Sequence, residues 1–202
     1  MVQSIKDTFD PKVESQGKTS TSKEQESKVQ KAKKEKPAVE AQKTIASPIA
    51  SDTIALQQAE NSLRNLPRFT GKNIIVYRSA HFYPDGRIKL NILDPNDPTS
   101  VDRYTYKNGN WQEPEPIQIT RSDDISNNSI NLDKAPFVVA NRVYNTIIDK
   151  LKELQADQTK VTVYYVPYNG KLRWFPTSLN TDRSRYAMKF NQKGQLISFK
   201  QD

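Results

Sequence analysis

Apolar and polar side chains alternate in two distant segments of the chain, over the first six residues of RIKLNIL (87–93) and the first four of KLRWF (171–175), and most of the polar ones are cations. Successive side chains of a β-strand point to opposite faces of its sheet. The alternation therefore predicts two half-buried strands, each with one apolar face and one basic face.

This alternation and the intervening turn signals predict eight strands in two groups of four. The first group comprises NIIVYRSA (73–80), RIKLNIL, VDRYTYK (101–107) and WQEPEPIQI (111–119). The second comprises KVTVYYVPY (160–168), KLRWFPTSL (171–179), RYAMKFN (185–191) and QLISFKQ (195–201). Pro114 and Pro116 lack the N–H that a central strand donates, so WQEPEPIQI is expected at an edge or with a late start.

A helical pattern precedes each group of strands. TIALQQAENSLRNL (53–66) follows the potential caps Ser51 and Asp52 and ends before Pro67. FVVANRVYNTIIDKLKELQ (137–155) follows Asp133, which we expect to cap it, and Pro136. The residues predicted to form the two apolar faces are Ile54, Leu56, Ala59, Leu63 and Leu66 in the first helix, and Phe137, Ala140, Tyr144, Ile147, Ile148, Leu151 and Leu154 in the second.

The order helix, four strands, helix, four strands predicts an α+β fold. We expect two tandem units, each with a helix on one face of a four-stranded antiparallel sheet, at residues 51–132 and 133–202. Residues 1–50 are rich in Lys, Glu, Gln, Ala and Ser and contain one aromatic residue, Phe9. Such a segment cannot bury enough apolar surface to offset the entropy of ordering, so a disordered spacer is predicted there.

This element order resembles the tandem repeat of β-lactamase-inhibitor-protein-like and PepSY-like domains. The disulfides typical of those inhibitors are absent here. The segment YPDGRIKLNILDPNDPTSVDRYTYKNGNWQEPEPIQI also resembles uncharacterised envelope proteins of Gram-negative bacteria. The resemblance implies a periplasmic or outer-membrane-tethered location if a secretion signal has been removed ahead of Met1. It implies no activity.

The two groups carry matching cations on the predicted outer faces of their strands. The matched pairs are Arg87 with Lys171, Lys89 with Arg173, Arg103 with Arg185, and Lys107 with Lys189. These basic faces are predicted to bind an acidic protein surface, with Tyr77, Tyr164, Tyr168 and Phe175 as aromatic anchors or as ordinary core residues. Alternatively, the cations only prevent aggregation and edge pairing.

Nucleic acid, or an anionic glycolipid or cell-wall polymer, is the alternative partner. Sheet-based RNA binders place aromatic residues beside cations on the open face. Here the alternation places Tyr104, Tyr106, Trp174 and Tyr186 on the face opposite the cations, which counts against nucleic acid.

The composition of the chain excludes several kinds of site and of chemistry. The net charge is +8, of which the predicted spacer carries +3, so much of the excess belongs to the folded part. The chain has no cysteine, which excludes disulfides, thiolate catalysis and cysteine-ligated metals. It has no apolar run long enough to span a bilayer. The oligomeric state cannot be read from the sequence.

Candidate catalytic or metal-binding groups are few. His81 is the single histidine and lies in no recognisable catalytic motif. DPNDPTSVD (94–102) superficially resembles a calcium loop but lacks the central glycine and the bidentate glutamate, so a structural loop is expected there. Asp123-Asp124 is interpreted as an acidic loop tip. We therefore expect a non-catalytic protein without a cofactor or metal.

Overall fold

The computed structural model describes residues 47–156 and 160–202, and within them the fold class is α+β, as predicted. The predicted spacer lies outside these residues, except for its last four positions. There Ile49 and Ala50 are buried in a short 3-10 turn, so the core begins slightly earlier than residue 51. The helices are α1 (Thr53–Arg64) and α2 (Val138–Glu153), and a second 3-10 turn covers Leu132–Lys134.

Eleven strands are present among these residues. They are β1 (Ile75–Phe82), β2 (Ile88–Asp94), β3 (Asp97–Lys107), β4 (Asn110–Trp111), β5 (Glu115–Ile117), β6 (Ser129–Asn131), β7 (Val163–Tyr168), β8 (Lys171–Phe175), β9 (Ser178–Asn180), β10 (Arg185–Phe190) and β11 (Leu196–Gln201).

Helix α1 begins at one of the two predicted caps. The Asp52 carboxylate accepts hydrogen bonds from the N–H groups of Ile54 and Ala55, at 2.8 and 3.1 Å. It thereby satisfies two of the donors that a helix start leaves free. Ile54 is 66% exposed, contrary to its predicted place on the apolar face, while Leu56 and Leu63 are fully buried.

Helix α2 is capped from another element. Asp133, the predicted cap, instead pairs with Arg64 at 2.9 Å. The N–H of Phe137 donates to the carboxylate of Glu60 in α1 at 2.7 Å. The prediction was wrong because a capping side chain can come from a residue distant in sequence. Glu60 thus ties the start of α2 to α1.

The large sheet has eight strands and crosses the predicted boundary between the two units. The main order is β4-β3-β2-β1-β7-β8, with β5 also pairing with β3 and β6 with β1. The pairing of β1 with β7 is antiparallel and joins His81 to Tyr164 in register. The strands of the first group therefore share one sheet with β7 and β8 of the second group.

The segment KLRWFPTSL forms two strands rather than the predicted one. Its first part is β8, at the end of the large sheet, and its second part is β9, which pairs with β10. Strands β9, β10 and β11 form a separate three-stranded sheet. The change of partner occurs around Pro176 and Thr177, where the carbonyl of Thr177 accepts from the N–H of Met188 at 2.8 Å.

The predicted alternation is confirmed by burial. Ile88, Leu90 and Ile92 of β2 are at most 1% exposed, and Leu172 and Trp174 of β8 are also buried. Their side chains pack with both helices in one core. The opposite face of the large sheet, which we call the outer face, carries the polar and charged side chains of these strands.

The structure also tests the predictions for the segment WQEPEPIQI and for residues 94–102 of the first group. WQEPEPIQI splits into β4 and β5, which both pair with β3 at the sheet edge, as the prolines predicted. Of the predicted loop at residues 94–102, only Pro95 and Asn96 lie outside a strand, because β3 begins at Asp97. Arg68 binds the carboxylates of Asp94 and Asp102 at 3.0 and 2.6 Å.

Candidate binding site on the outer face of the large sheet

A row of aromatic rings crosses the outer face from β1 to β8. The ring of His81 stacks on Tyr164 with centroids 4.6 Å apart, and Tyr164 stacks on Phe175 at 4.6 Å with planes within 3°. The ring of Tyr83 also stacks on His81, with centroids 5.9 Å apart. We call Tyr83, His81, Tyr164 and Phe175 the aromatic ladder. Its inner rings cover each other's faces, so a ligand can stack only at an end.

The ladder follows from the strand registers. His81 is opposite Tyr164 between β1 and β7, and Tyr164 is opposite Phe175 between β7 and β8. Directly opposite residues of an antiparallel pair lie on the same face, with their side chains within contact distance. Lys89 continues the same row onto β2, where it is opposite His81.

The Phe175 end of the ladder opens into a groove between β8 and β10. This β8–β10 groove is a cavity of about 620 Å³. Its apolar lining includes Leu172, Trp174 and Phe190, and its cations are Lys171, Arg173 and Lys189. These three cations are exposed and form no ion pair within residues 47–156 and 160–202. The groove therefore combines unneutralised positive charge with an apolar lining.

The other end of the ladder borders a smaller polar hollow of about 210 Å³. Lys89, Arg103, Ser79 and Asn91 line it together with His81 and Tyr83. The Nε2 atom of His81 lies 3.0 Å from the Ser79 hydroxyl. Burial lowers the pKa of His81, because removing the imidazole from water disfavours its charged form.

The eleven predicted site residues thus separate into distinct groups. Four of them line the groove, namely Lys171, Arg173, Phe175 and Lys189, while Lys89 and Arg103 line the hollow and Tyr164 connects the two. Lys107 is exposed and lines neither cavity. Tyr168, the further predicted anchor, is 58% exposed and also lines the groove.

Two predicted cations are already engaged by acidic neighbours. The Arg87 Nε atom lies 2.6 Å from the carboxylate of Asp85, and its guanidinium stacks over Tyr83 at 4.9 Å. Arg185 pairs with Asp202 at 3.3 Å. Both ion pairs are at least partly exposed, so they orient the two arginine side chains but contribute little to the stability of the fold.

Tyr77 cannot be a binding anchor, because it is fully buried. Its register partner Asn91 places it on the outer face, but that part of the sheet is covered. Arg78 lies over the Tyr77 ring at 5.1 Å, donates its N–H to the carbonyl of Asn128 and pairs with Asp123. The alternation gives the correct face, but it cannot show that a distant segment covers it. Asp123, interpreted from sequence as part of a loop tip, supports this cover.

His81 and Tyr83 are the residues of this face that the sequence reasoning missed as binding candidates. His81 lies in β1 and Tyr83 directly follows it, and their spacing of two places them on one side of the chain, which is a signal available in the sequence. Trp174, Tyr104 and Met188 face the core as the alternation requires. Aromatic residues therefore lie on both faces of the sheet, since the ladder lies on the same face as the cations.

Comparison with protein-family models, curated proteins and solved structures finds no match for this chain. The resemblance to inhibitor-like, PepSY-like and envelope proteins accordingly stays a prediction. Neither α1 nor α2 is long and apolar enough to cross a membrane. No group of three or more His, Cys, Asp or Glu side chains is arranged to hold a metal among the residues the structure describes.

Proposed function

We propose that this protein is a non-catalytic binding module that recognises an acidic segment of a partner protein at the β8–β10 groove. The observation that carries the proposal is the convergence of Lys171, Arg173 and Lys189 on one groove with an apolar lining. Complementary charge attracts and orients a partner, while apolar contacts in the groove supply affinity.

The groove favours a partner with both acidic and apolar groups. An anionic polymer would use the cations but leave the accessible apolar lining of the groove, which includes Tyr168 and Phe175, without apolar contacts. Binding of nucleic acid by base stacking would be confined to the open ends of the ladder, because the inner ring faces are covered. Nucleic acid, or an anionic glycolipid or cell-wall polymer, is therefore the alternative proposal.

The tandem arrangement and the envelope location are parts of the same proposal. Each half of the chain has a helix followed by antiparallel strands, which supports a duplicated unit, although β1 and β7 join the halves within one sheet.

The proposed envelope location follows from the sequence resemblance alone. A reporter fusion to the natural gene, read in periplasmic and cytoplasmic fractions, tests it.

Fluorescence anisotropy with the 202-residue chain tests the binding proposal. The probe is a labelled peptide of alternating Glu and Val, compared with the same peptide carrying Lys in place of Glu. We expect the acidic peptide to bind, more weakly at high salt, and the Lys peptide not to bind. Replacing Lys171 and Arg173 together by Glu is expected to weaken binding at least about tenfold.

A matched control separates the groove from net charge. Lys107→Glu with Lys152→Glu makes the same change in charge at exposed positions outside the groove. It is expected to leave the affinity within about twofold of the unaltered chain. Equal weakening by both double variants, or tighter binding of oligo(dT) or heparin than of the acidic peptide, would contradict the proposal. Far-UV circular dichroism confirms that each variant is folded.

A further inference from the structure

The β8–β10 groove runs along the edge of a strand rather than over its face. All five residues of β8, Lys171–Phe175, line it, although their side chains alternate between the core and the outer face. A cavity over one face would be lined only by every second residue. The lining is continuous because the cavity follows the backbone edge of β8.

The β10 wall of the groove is also lined by consecutive residues of a strand. Met188, Lys189 and Phe190 are consecutive residues of β10 and all line the groove. On this side β10 pairs with β9 through Arg185, Tyr186 and Ala187, and the N–H of Met188 donates to the carbonyl of Thr177, just before β9. Within the described part of the chain, β8 pairs with β7 alone. The groove thus separates two strand edges with no intervening strand among the described residues.

We propose that the acidic partner segment binds as an extended strand that pairs with the free edge of β8. The proposal rests on the proposed function and specifies how the acidic segment is held. Unpaired backbone N–H and C=O groups at a sheet edge are a ready template for another strand. The added segment covers about five residues, the length of β8.

The alternation along β8 defines the sequence that such a strand needs. On the outer face, side chains opposite Lys171 and Arg173 are acidic, because opposite charges in cross-strand pairs stabilise a sheet. On the inner side, side chains next to Leu172 and Trp174 are apolar. A second copy of this chain is disfavoured on this edge, because its own β8 would place cations against cations.

The aromatic ladder adds a third requirement. One face of Phe175 stacks on Tyr164 of β7. The other face points away from β7 and therefore toward the groove that Phe175 lines. A planar side chain opposite Phe175 would extend the ladder by one ring. The recognised pattern is thus Glu-Val-Glu-Val-Phe for a strand parallel to β8, or its reverse, Phe-Val-Glu-Val-Glu, for an antiparallel strand.

Backbone methylation of these two peptides tests strand pairing without altering the protein. The N–H groups of alternate residues in a strand point to the same edge. N-methylation at odd positions therefore blocks one edge, and methylation at even positions blocks the other. For the peptide that binds, we expect one isomer to lose at least about tenfold in affinity and the other to bind like the unmodified peptide.

The outcomes separate this inference from the proposed function. If neither unmodified peptide binds, the acidic-partner proposal itself fails. If a peptide binds but its two methylated isomers are equal, the acidic segment is held in another way and strand addition is wrong. A concentration-dependent dimer in sedimentation that the peptide does not dissociate would assign the edge to a second copy and also overturn the inference.

A protein variant tests the ladder separately. Phe175→Leu keeps an apolar side chain at the position but removes the ring. We expect it to abolish the preference for Phe over Val at the matching peptide position, while the Val peptide binds as before. An unchanged preference for Phe in the variant would show that the ladder takes no part in recognition.

Discussion

The imidazole of His81 and the phenol ring of Tyr164 lie face to face, 4.6 Å apart and within 10° of parallel. The two residues are 83 positions apart and belong to the halves that the sequence presents as separate units. Because these two rings stack, the outer face of the large sheet is continuous from one half of the chain to the other. Lys89 on one side and Phe175 on the other extend the same row.

The first prediction concerns pH. Burial lowers the pKa of His81 from 6.5, so below pH 6.5 the unfolded chain takes up a proton that the folded protein does not. The contribution of neutral His81 to the free energy of unfolding is complete above pH 6.5. It decreases as the pH falls toward the lower pKa that His81 has in the folded protein. Urea unfolding should therefore give a smaller free energy of unfolding at pH 5.5 than at pH 7.5.

His81→Phe provides the control for that measurement. It retains a ring in the ladder but removes the titration, and His81 is the single histidine. The cations that line the same hollow, Lys89 and Arg103, are unaltered in this variant. The variant should lose most of the difference between the two pH values. An undiminished difference would show that other groups cause it.

The second prediction concerns the contact between the helices. Glu60 is 12% exposed in its side chain and accepts the N–H of Phe137, so Glu60→Ala leaves a helix-start donor unsatisfied. We expect a loss of about 1–3 kcal/mol in the free energy of unfolding. Glu60 also pairs with Arg64 at 2.8 Å, and Glu153 forms a similar pair with Lys150 at 2.6 Å but has a 58% exposed side chain. Glu153→Ala should therefore cost at most about 1 kcal/mol. Equal losses would contradict the assignment.

The third prediction concerns the turn between β10 and β11. A Cβ on Gly194 would lie 2.8 Å from Val139 Cγ1 and 2.9 Å from Val143 Cγ2, both on α2. Gly194→Ala should therefore cost about 1–3 kcal/mol by overpacking, in addition to the strain of its φ of +71°. Gly109, with φ of +82° and open space around its Cβ position, is the matched control. Gly109→Ala should cost about 1–2 kcal/mol, and an equal loss at Gly194 would mean that the turn does not pack on α2.

The fourth prediction concerns calcium. Asp94 and Asp102 already bind Arg68, and Asp97 accepts hydrogen bonds from Thr99 and Ser100. Adding calcium should leave the thermal unfolding midpoint unchanged relative to EDTA. A calcium-dependent rise in the midpoint would show that the loop binds the ion despite Arg68.

Much of the secondary structure follows from local pattern. The alternation in β2 and β8, the cap at Asp52 and the prolines of WQEPEPIQI each act within a few residues, so the sequence predicts their outcome. The exposed positions of Lys171 and Arg173 follow from the same alternation.

The missed features depend on contacts between distant segments. The cap of α2 by Glu60, the cover over Tyr77 and the pairing of β1 with β7 each join residues far apart in the chain. The groove arises because the chain changes sheets within KLRWFPTSL, where the alternation alone predicts one uninterrupted strand. Local periodicity contains no information about such partners.

Hydrogen–deuterium exchange with and without the acidic peptide is the most direct test of binding at the edge of β8. If the account is correct, the bound peptide slows exchange in β8 and in the Met188–Phe190 part of β10, and leaves the edge strands β4 and β5 unchanged. Protection that is absent from β8 and centred on another surface would contradict the account, even if the peptide binds.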